Sequence, residues 1–203
     1  MGLAESADCA AAWACVSVHP LVNLMTMVMN ATSEVVEREL TYEELAERYR
    51  AICDDLRFEN LPGKVELDTW GRMIMSPASN YHAILQGRLS KRFSAFEGEL
   101  MTEASVLTSN GLQVADFAWA SPTFMQAHGT ETPFTRAPEL CVEVASPSNS
   151  RKGLREKSAA YIAAGAREAW LVYPQSKRIE FYAQGGQIEH TGFAIDLSGL
   201  FGI

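Results

Sequence analysis

The apolar positions change period several times along the chain. Leu45, Tyr49 and Ile52 recur at helical spacing. Just ahead of them, Thr41-Tyr42-Glu43-Glu44 can form a capping box, in which the threonine hydroxyl accepts a backbone N–H and Glu44 reaches back. This predicts a helix over about 42–53, ended by Leu61-Pro62-Gly63. Val65 and Leu67, then Met73 and Met75, predict two short strands around the turn Asp68-Thr69-Trp70-Gly71. Beyond the break from Pro77 to Asn80, Leu85, Leu89, Phe93 and Phe96 form one stripe. They predict a second helix from Tyr81 to Phe96, closed by Gly98.

The pattern then turns to strands. Leu100 to Leu107 and Leu112 to Trp119 flank Asn110-Gly111, a strong hairpin signal. Residues 121–138, with Pro122, Gly129, Pro133 and Pro138, read as a loop. Leu140 to Ala145 is a further strand, and a helix over about 151–164 ends before Gly165. Ala169 to Tyr173 is a strand stopped by Pro174, and Arg178 to Ala183 with Gln187 to His190 predict a last hairpin around Gly185-Gly186. The core order is αβββαβ with an extra N-terminal helix and hairpins. That is an α/β (α+β) fold, with a mixed central β-sheet flanked by helices. Residues 39–203 read as a single domain. Residues 1–38 read as an N-terminal extension, either disordered or lying partly ahead of a natural start at Met25, Met27 or Met29.

Composition narrows the class without naming a function. A chain of 203 residues can build a core large enough to fold without disulfides or a structural metal. Its net charge of −8 argues against a dedicated DNA-packaging protein, yet leaves room for a local phosphate-binding patch. Cys9, Cys15, Cys53 and Cys141 form no C-x-x-C pair, and no histidine stands at zinc-finger spacing from them. They read as reduced thiols in a cytoplasmic protein. The apolar stretch from Cys9 to Met29 is interrupted by His19-Pro20 and Asn23, and no Lys or Arg precedes Arg38, which argues against a signal peptide or a membrane span. The sequon Asn30-Ala31-Thr32 reads as chance without a secretion signal.

Several charges fall where the periodicity points inward. In Leu140-Cys141-Val142-Glu143-Val144-Ala145, alternation sets Glu143 between Cys141 and Ala145 on one face of a central strand. A buried carboxylate needs a cation, a basic side chain or a metal. The same spacing also suits an exposed edge face or a salt-bridged core glutamate. Asp116, in Val114-Ala115-Asp116-Phe117-Ala118-Trp119, is set among small and apolar residues in the same way, with a strand-end turn carboxylate as the other reading. Two such acids converging from separate strands would suit Mg²⁺ or Mn²⁺, which prefer hard oxygen ligands. Lys157 shares a helical stripe with Leu154, Tyr161 and Ala164, so it should face the sheet, where an ammonium could stabilise phosphoryl charge. Arg151, Lys152 and Arg155 make a phosphate footprint if they act together, or a solvated face if they do not. Glu66 and His82 are further candidates, for a second contact and for phosphate orientation or proton transfer; an exposed glutamate and an ordinary helix-start histidine are the plainer readings.

Three segments carry a resemblance. Val114-Ala115-Asp116-Phe117, the run from Pro138 to Ser150 and the run from Glu156 to Pro174 together resemble the Uma-two family. Met75 to His82 resembles the segment ahead of that family's first core helix, and the likeness covers about 60–190. The resemblance implies the PD-(D/E)xK restriction-endonuclease-like fold and a bacterial endonuclease acting on DNA. It implies Asp116 as the first motif acid, Glu143 as the second, and Lys157 as a helical stand-in for the motif lysine. Asp116, Glu143 and the Val144 carbonyl would then hold Mg²⁺ or Mn²⁺, with Glu66 as a further contact. Ala115 replaces the proline that usually precedes the first acid, and Ala145 stands where the superfamily places its lysine. The expected function is a metal-dependent endonuclease hydrolysing DNA phosphodiester bonds, with a catalytically inactive DNA-binding or regulatory module as the alternative. No membrane contact is expected, and a homodimer would suit cleavage of both strands.

Overall fold

A computed structural model describes residues 38–58, 63–76, 78–129 and 131–202. These belong to one compact unit that begins at residue 37. The expectations for Cys9, Cys15, His19, the apolar stretch, the sequon and the start at Met25, Met27 or Met29 lie outside the described residues.

Helix α1 spans Tyr42–Asp54 and opens on the expected capping box: Glu44 N donates to Thr41 Oγ1, and Thr41 N donates to Glu44 Oε2 at 2.8 Å. Strands β1 (Lys64–Leu67) and β2 (Met73–Ser76) form an antiparallel hairpin. Helix α2, Asn80–Phe93, is capped by Ser79. Strands β3 (Glu99–Thr108) and β4 (Gly111–Ala120) make the Asn-Gly hairpin. Strand β5 (Leu140–Val144), helix α4 (Arg151–Ala163) and strand β6 (Glu168–Tyr173) form a crossover unit, followed by β7 (Arg178–Ala183) and β8 (Gly186–Ile188). Among the described strands only the pair β5 and β6 runs parallel, as a strand pair joined through a helix can.

Two expectations need correction. Residues 121–138 are not a continuous loop, because Pro122–His128 form a short helix, α3. Ser121 accepts from Phe124 N, and Pro122 occupies the first turn, where its missing N–H costs nothing. Helix α2 ends at Phe93 rather than Phe96. Phe96 then packs back against Phe93 and Trp119 from the following turn.

Alternation in β5 divides the core. Leu140, Val142 and Val144 pack with Leu85, Leu89 and Phe93 of α2, together with Trp170, Phe193 and Leu200. Each of the three α2 side chains is fully buried and contributes roughly 1.5–3 kcal/mol. Cys141 on the opposite face packs with Tyr161 of α4. Helix α1 covers a third cluster formed by Leu67, Leu107, Leu112 and Val114.

The feature that positions the site is the way β4 shares one edge. Strand β3 pairs along the whole opposite edge, from Glu99↔Ala120 to Thr108↔Gly111. The remaining edge is divided: β1 meets it at Leu67↔Leu112, and β5 meets it from Phe117↔Val142 to Trp119↔Leu140. Between these two contacts the sheet forks. Gly111 lets β1 come this close, since a Cβ there would stand 2.3 Å from the Leu67 carbonyl oxygen, and its φ is +97°.

Candidate active site

The fork leaves backbone groups of β4 and β5 without strand partners, and buried groups of this kind have to be satisfied. Side chains do it. Val114 N donates to Glu66 Oε1 at 2.8 Å, and the Val114 carbonyl accepts from Lys64 Nζ at 2.8 Å. The Asp116 carbonyl accepts from Gln86 Nε2 of α2 at 2.8 Å. Val144 N donates to Asp116 Oδ2 at 2.7 Å. The β4–β5 ladder stops one step before Asp116 would face Glu143, and in β3 Glu103, at φ +59°, breaks the pair on the other side.

Five charged side chains meet in this gap. Lys64 Nζ lies 2.6 Å from Asp116 Oδ1, 3.4 Å from Glu143 Oε2 and 3.9 Å from Glu66 Oε1. Lys157 Nζ lies 2.7 Å from Glu66 Oε1 and 2.9 Å from Glu143 Oε1. Tyr161, one helical turn after Lys157, donates its hydroxyl to Glu143 Oε1 at 2.7 Å. The Ser79 cap sets His82 in the first turn of α2, and His82 Nε2 stands 3.2 Å from Asp116 Oδ2. These groups border a cavity of about 220 Å³, closed on one side by Ser146, Ser148, Asn149 and Ser150. Asn149 Oδ1 accepts from both the N–H and the hydroxyl of Ser146, which fixes that turn.

The pKa values of the two acids are driven in opposite directions. Burial alone would raise the Asp116 carboxyl, but the His82 hydrogen bond and the Lys64 ammonium outweigh it and bring the pKa down to about 2. Glu143 goes the other way: burial, helped by the neighbouring Asp116 and Glu66 charges, raises it against the pull of Lys157 and Lys64. Burial would lower the pKa of Lys64, yet Glu143, Asp116 and Glu66 together hold it above the ordinary lysine value. Tyr161 is pushed up by burial and by Glu143, so its hydroxyl keeps its proton.

The structure therefore brings Asp116, Glu143, Lys157, Glu66 and His82 together, with Val144 at the cavity wall. Glu66 is buried rather than an exposed strand glutamate. Arg151, Lys152 and Arg155 do not line the cavity. Arg151 lies over the Tyr173 ring, Lys152 pairs with Glu156, and Arg155 pairs with Glu180. Sequence reasoning missed Lys64, Gln86 and the hydroxyl of Tyr161. For Lys64 the available signal was its position two residues before Glu66, on the same strand face.

Among the described residues, no three His, Cys, Asp or Glu side chains gather as a ready metal-ligand set. The donor chemistry nevertheless fits a hard divalent cation. Asp116 and Glu143 each aim a carboxylate oxygen at one point, which the Lys64 ammonium marks.

The sheet is mixed, helices pack on it, and the acids meet a helical lysine at the fork in its strands. The chain belongs to the Uma2 family, whose model is described as "putative restriction endonuclease" and matches residues 46–197. Among solved structures it resembles a "putative nuclease belonging to DUF820" from Anabaena variabilis, with a TM-score of 0.52 and 14% identity over 71% of this chain and 88% of that one. That likeness concerns the fold. No curated protein matches the chain.

Proposed function

We propose that this protein hydrolyses phosphodiester bonds in DNA with the help of Mg²⁺ or Mn²⁺. The observation that supports this reading best is the meeting of Asp116, Glu143 and Lys157, remote in sequence, at one open cavity. A divalent ion held by Asp116 and Glu143, with the Val144 carbonyl, would supply Lewis-acid stabilisation and an activated water. The chain's own groups do the rest. Glu66 and Glu143 orient the Lys157 ammonium, which can sit against a phosphate oxygen and favour the charge that develops during in-line attack. Tyr161 keeps its proton and fixes the Glu143 carboxylate from behind. His82 Nε2 stands 3.2 Å from Asp116 Oδ2 in the cavity wall, a position from which an imidazole can serve in proton transfer. The serine-rich turn from Ser146 to Ser150 offers hydroxyls to a phosphate at the rim.

The test is cleavage of supercoiled and linear DNA by the full chain with Mg²⁺ or Mn²⁺. Activity is expected in the wild type and lost in Asp116→Ala, Glu143→Ala and Lys157→Ala. Cleavage unchanged in all three would end the proposal. The second reading, a DNA-binding module without turnover, is favoured by one observation: an ammonium already stands between the two acids. Salt-dependent DNA binding with neither metal uptake nor product would select it.

A further inference from the structure

Lys64 stands where a divalent cation would bind. Its Nζ contacts Asp116 Oδ1 at 2.6 Å and Glu143 Oε2 at 3.4 Å, and it donates a further hydrogen bond to the Val114 carbonyl at 2.8 Å. Lys157 occupies a different place. It touches the other Glu143 oxygen, Oε1, and Glu66 Oε1, and makes no ion pair with Asp116. The two ammonium groups are therefore not equivalent: one lies between the acids and the other lies beside them.

We infer that Lys64 is an internal competitor for the divalent cation, filling the Asp116–Glu143 pair until a metal expels its ammonium towards solvent. The inference rests on the metal-dependent reading above and deepens it by naming the residue that sets metal affinity. Charge supports the exchange. Glu66, Asp116 and Glu143 against Lys64 and Lys157 leave one negative charge when all are ionised. A divalent ion added beside both lysines would turn that into a net positive charge in a buried pocket, whereas a metal that replaces Lys64 leaves the pocket neutral. Uncompensated charge in such surroundings is costly, so replacement is favoured over addition. Geometry permits it. Lys64 is the first residue of β1, and that strand's register contact with β4 is at the far end, Leu67↔Leu112, so its side chain can swing out without breaking that contact. Water reaching the open cavity can take over the Val114 carbonyl.

The experiment is a Mn²⁺ titration of the full chain, reading loss of the free-ion electron paramagnetic resonance signal. Lys64→Met should bind Mn²⁺ about tenfold more tightly than wild type, and Lys157→Met should gain less, because it removes a charge without vacating the position. Uptake by Lys64→Met alone would mean that metal does not expel Lys64 from the wild type, and overturns the inference. Affinity unchanged in Lys64→Met, or an equal gain in Lys157→Met, overturns the inference and leaves the metal reading standing. No uptake by any of the three proteins overturns both. A second measurement needs no variant: amine acylation of the wild type, read by peptide mass spectrometry, should rise at Lys64 when Mn²⁺ saturates the protein. Exposed Lys152 serves as the reference. Lys64 labelling that does not change under saturating Mn²⁺ also overturns the inference.

Discussion

Glu143 and Glu168 are buried carboxylates on adjacent parallel strands, and the fold treats them in opposite ways. Glu168 is satisfied by neutral donors: Trp170 Nε1 at 2.7 Å, the Thr191 hydroxyl at 2.6 Å and Gly192 N at 2.7 Å. These bonds tie β6 to the segment at 191–193, beneath the Trp170–Phe193 ring contact. Glu143 has one neutral donor, Tyr161, and otherwise faces two ammonium groups and two further acids. The first arrangement is closed by local hydrogen bonds and serves the fold. The second gathers like charges from three distant parts of the chain, which raises the energy of the folded protein and suits chemistry. Burial alone does not separate the two; the kind of partner does.

The largest expected effect tests this contrast directly. Glu143→Gln should lower single-turnover DNA cleavage by about 10³-fold, the range expected for a group acting in metal-assisted or acid–base chemistry. Its denaturant midpoint should stay level or rise, because the substitution removes a carboxyl that the pocket already disfavours as an anion. Glu168→Ala should do the reverse. It strands the Trp170 and Thr191 donors and should cost roughly 3 kcal/mol in urea unfolding, while cleavage by the folded fraction is retained. A cleavage defect in Glu168→Ala as large as that of Glu143→Gln would remove the distinction.

A smaller effect comes from the fork. Gly111→Ala places a methyl group against the Leu67 carbonyl at positive φ and should destabilise by about 2 kcal/mol, read as a shifted midpoint at constant slope. The effect of pH is comparable. The Asp116 pKa falls from 3.8 to about 2 on folding, so the folded state releases its proton more readily than the unfolded chain. Its stabilisation is complete above about pH 4, is worth about 2 kcal/mol there, and is lost as the pH falls through 2. Asp116→Asn should remove that part of the acid limb in pH-dependent unfolding. Smallest of all, replacing Arg151, Lys152 and Arg155 together by Ala should leave the unfolding midpoint in place and flatten the salt dependence of DNA binding, read by a fluorescence titration.

Much of this architecture can be read in the sequence. The stripe Leu85, Leu89, Phe93 marks the buried face of α2, and the alternation around Glu143 marks a carboxylate that points inward. The Asn110-Gly111 hairpin fixes β3 against β4. Helix α3 was hidden by Pro122 and by the Gly129, Pro133 and Pro138 that follow it, although Ser121-Pro122 is itself a helix-start signal. Lys64 was hidden for a deeper reason. On a four-residue strand, a lysine and a glutamate two positions apart look like an exposed charged face. Its partners Asp116 and Glu143 lie 52 and 79 residues further along, so no local pattern announces them. Tyr161 fell correctly on the core stripe of α4, but periodicity says nothing of where a phenol hydroxyl ends.

The divided edge of β4 has a consequence for how this protein can change over evolutionary time. The candidate groups hang from a place where the strands have already parted, so the scaffold depends on them for only a few main-chain bonds. A lineage can therefore trade these side chains for others that satisfy the same bonds while keeping the frame that carries them.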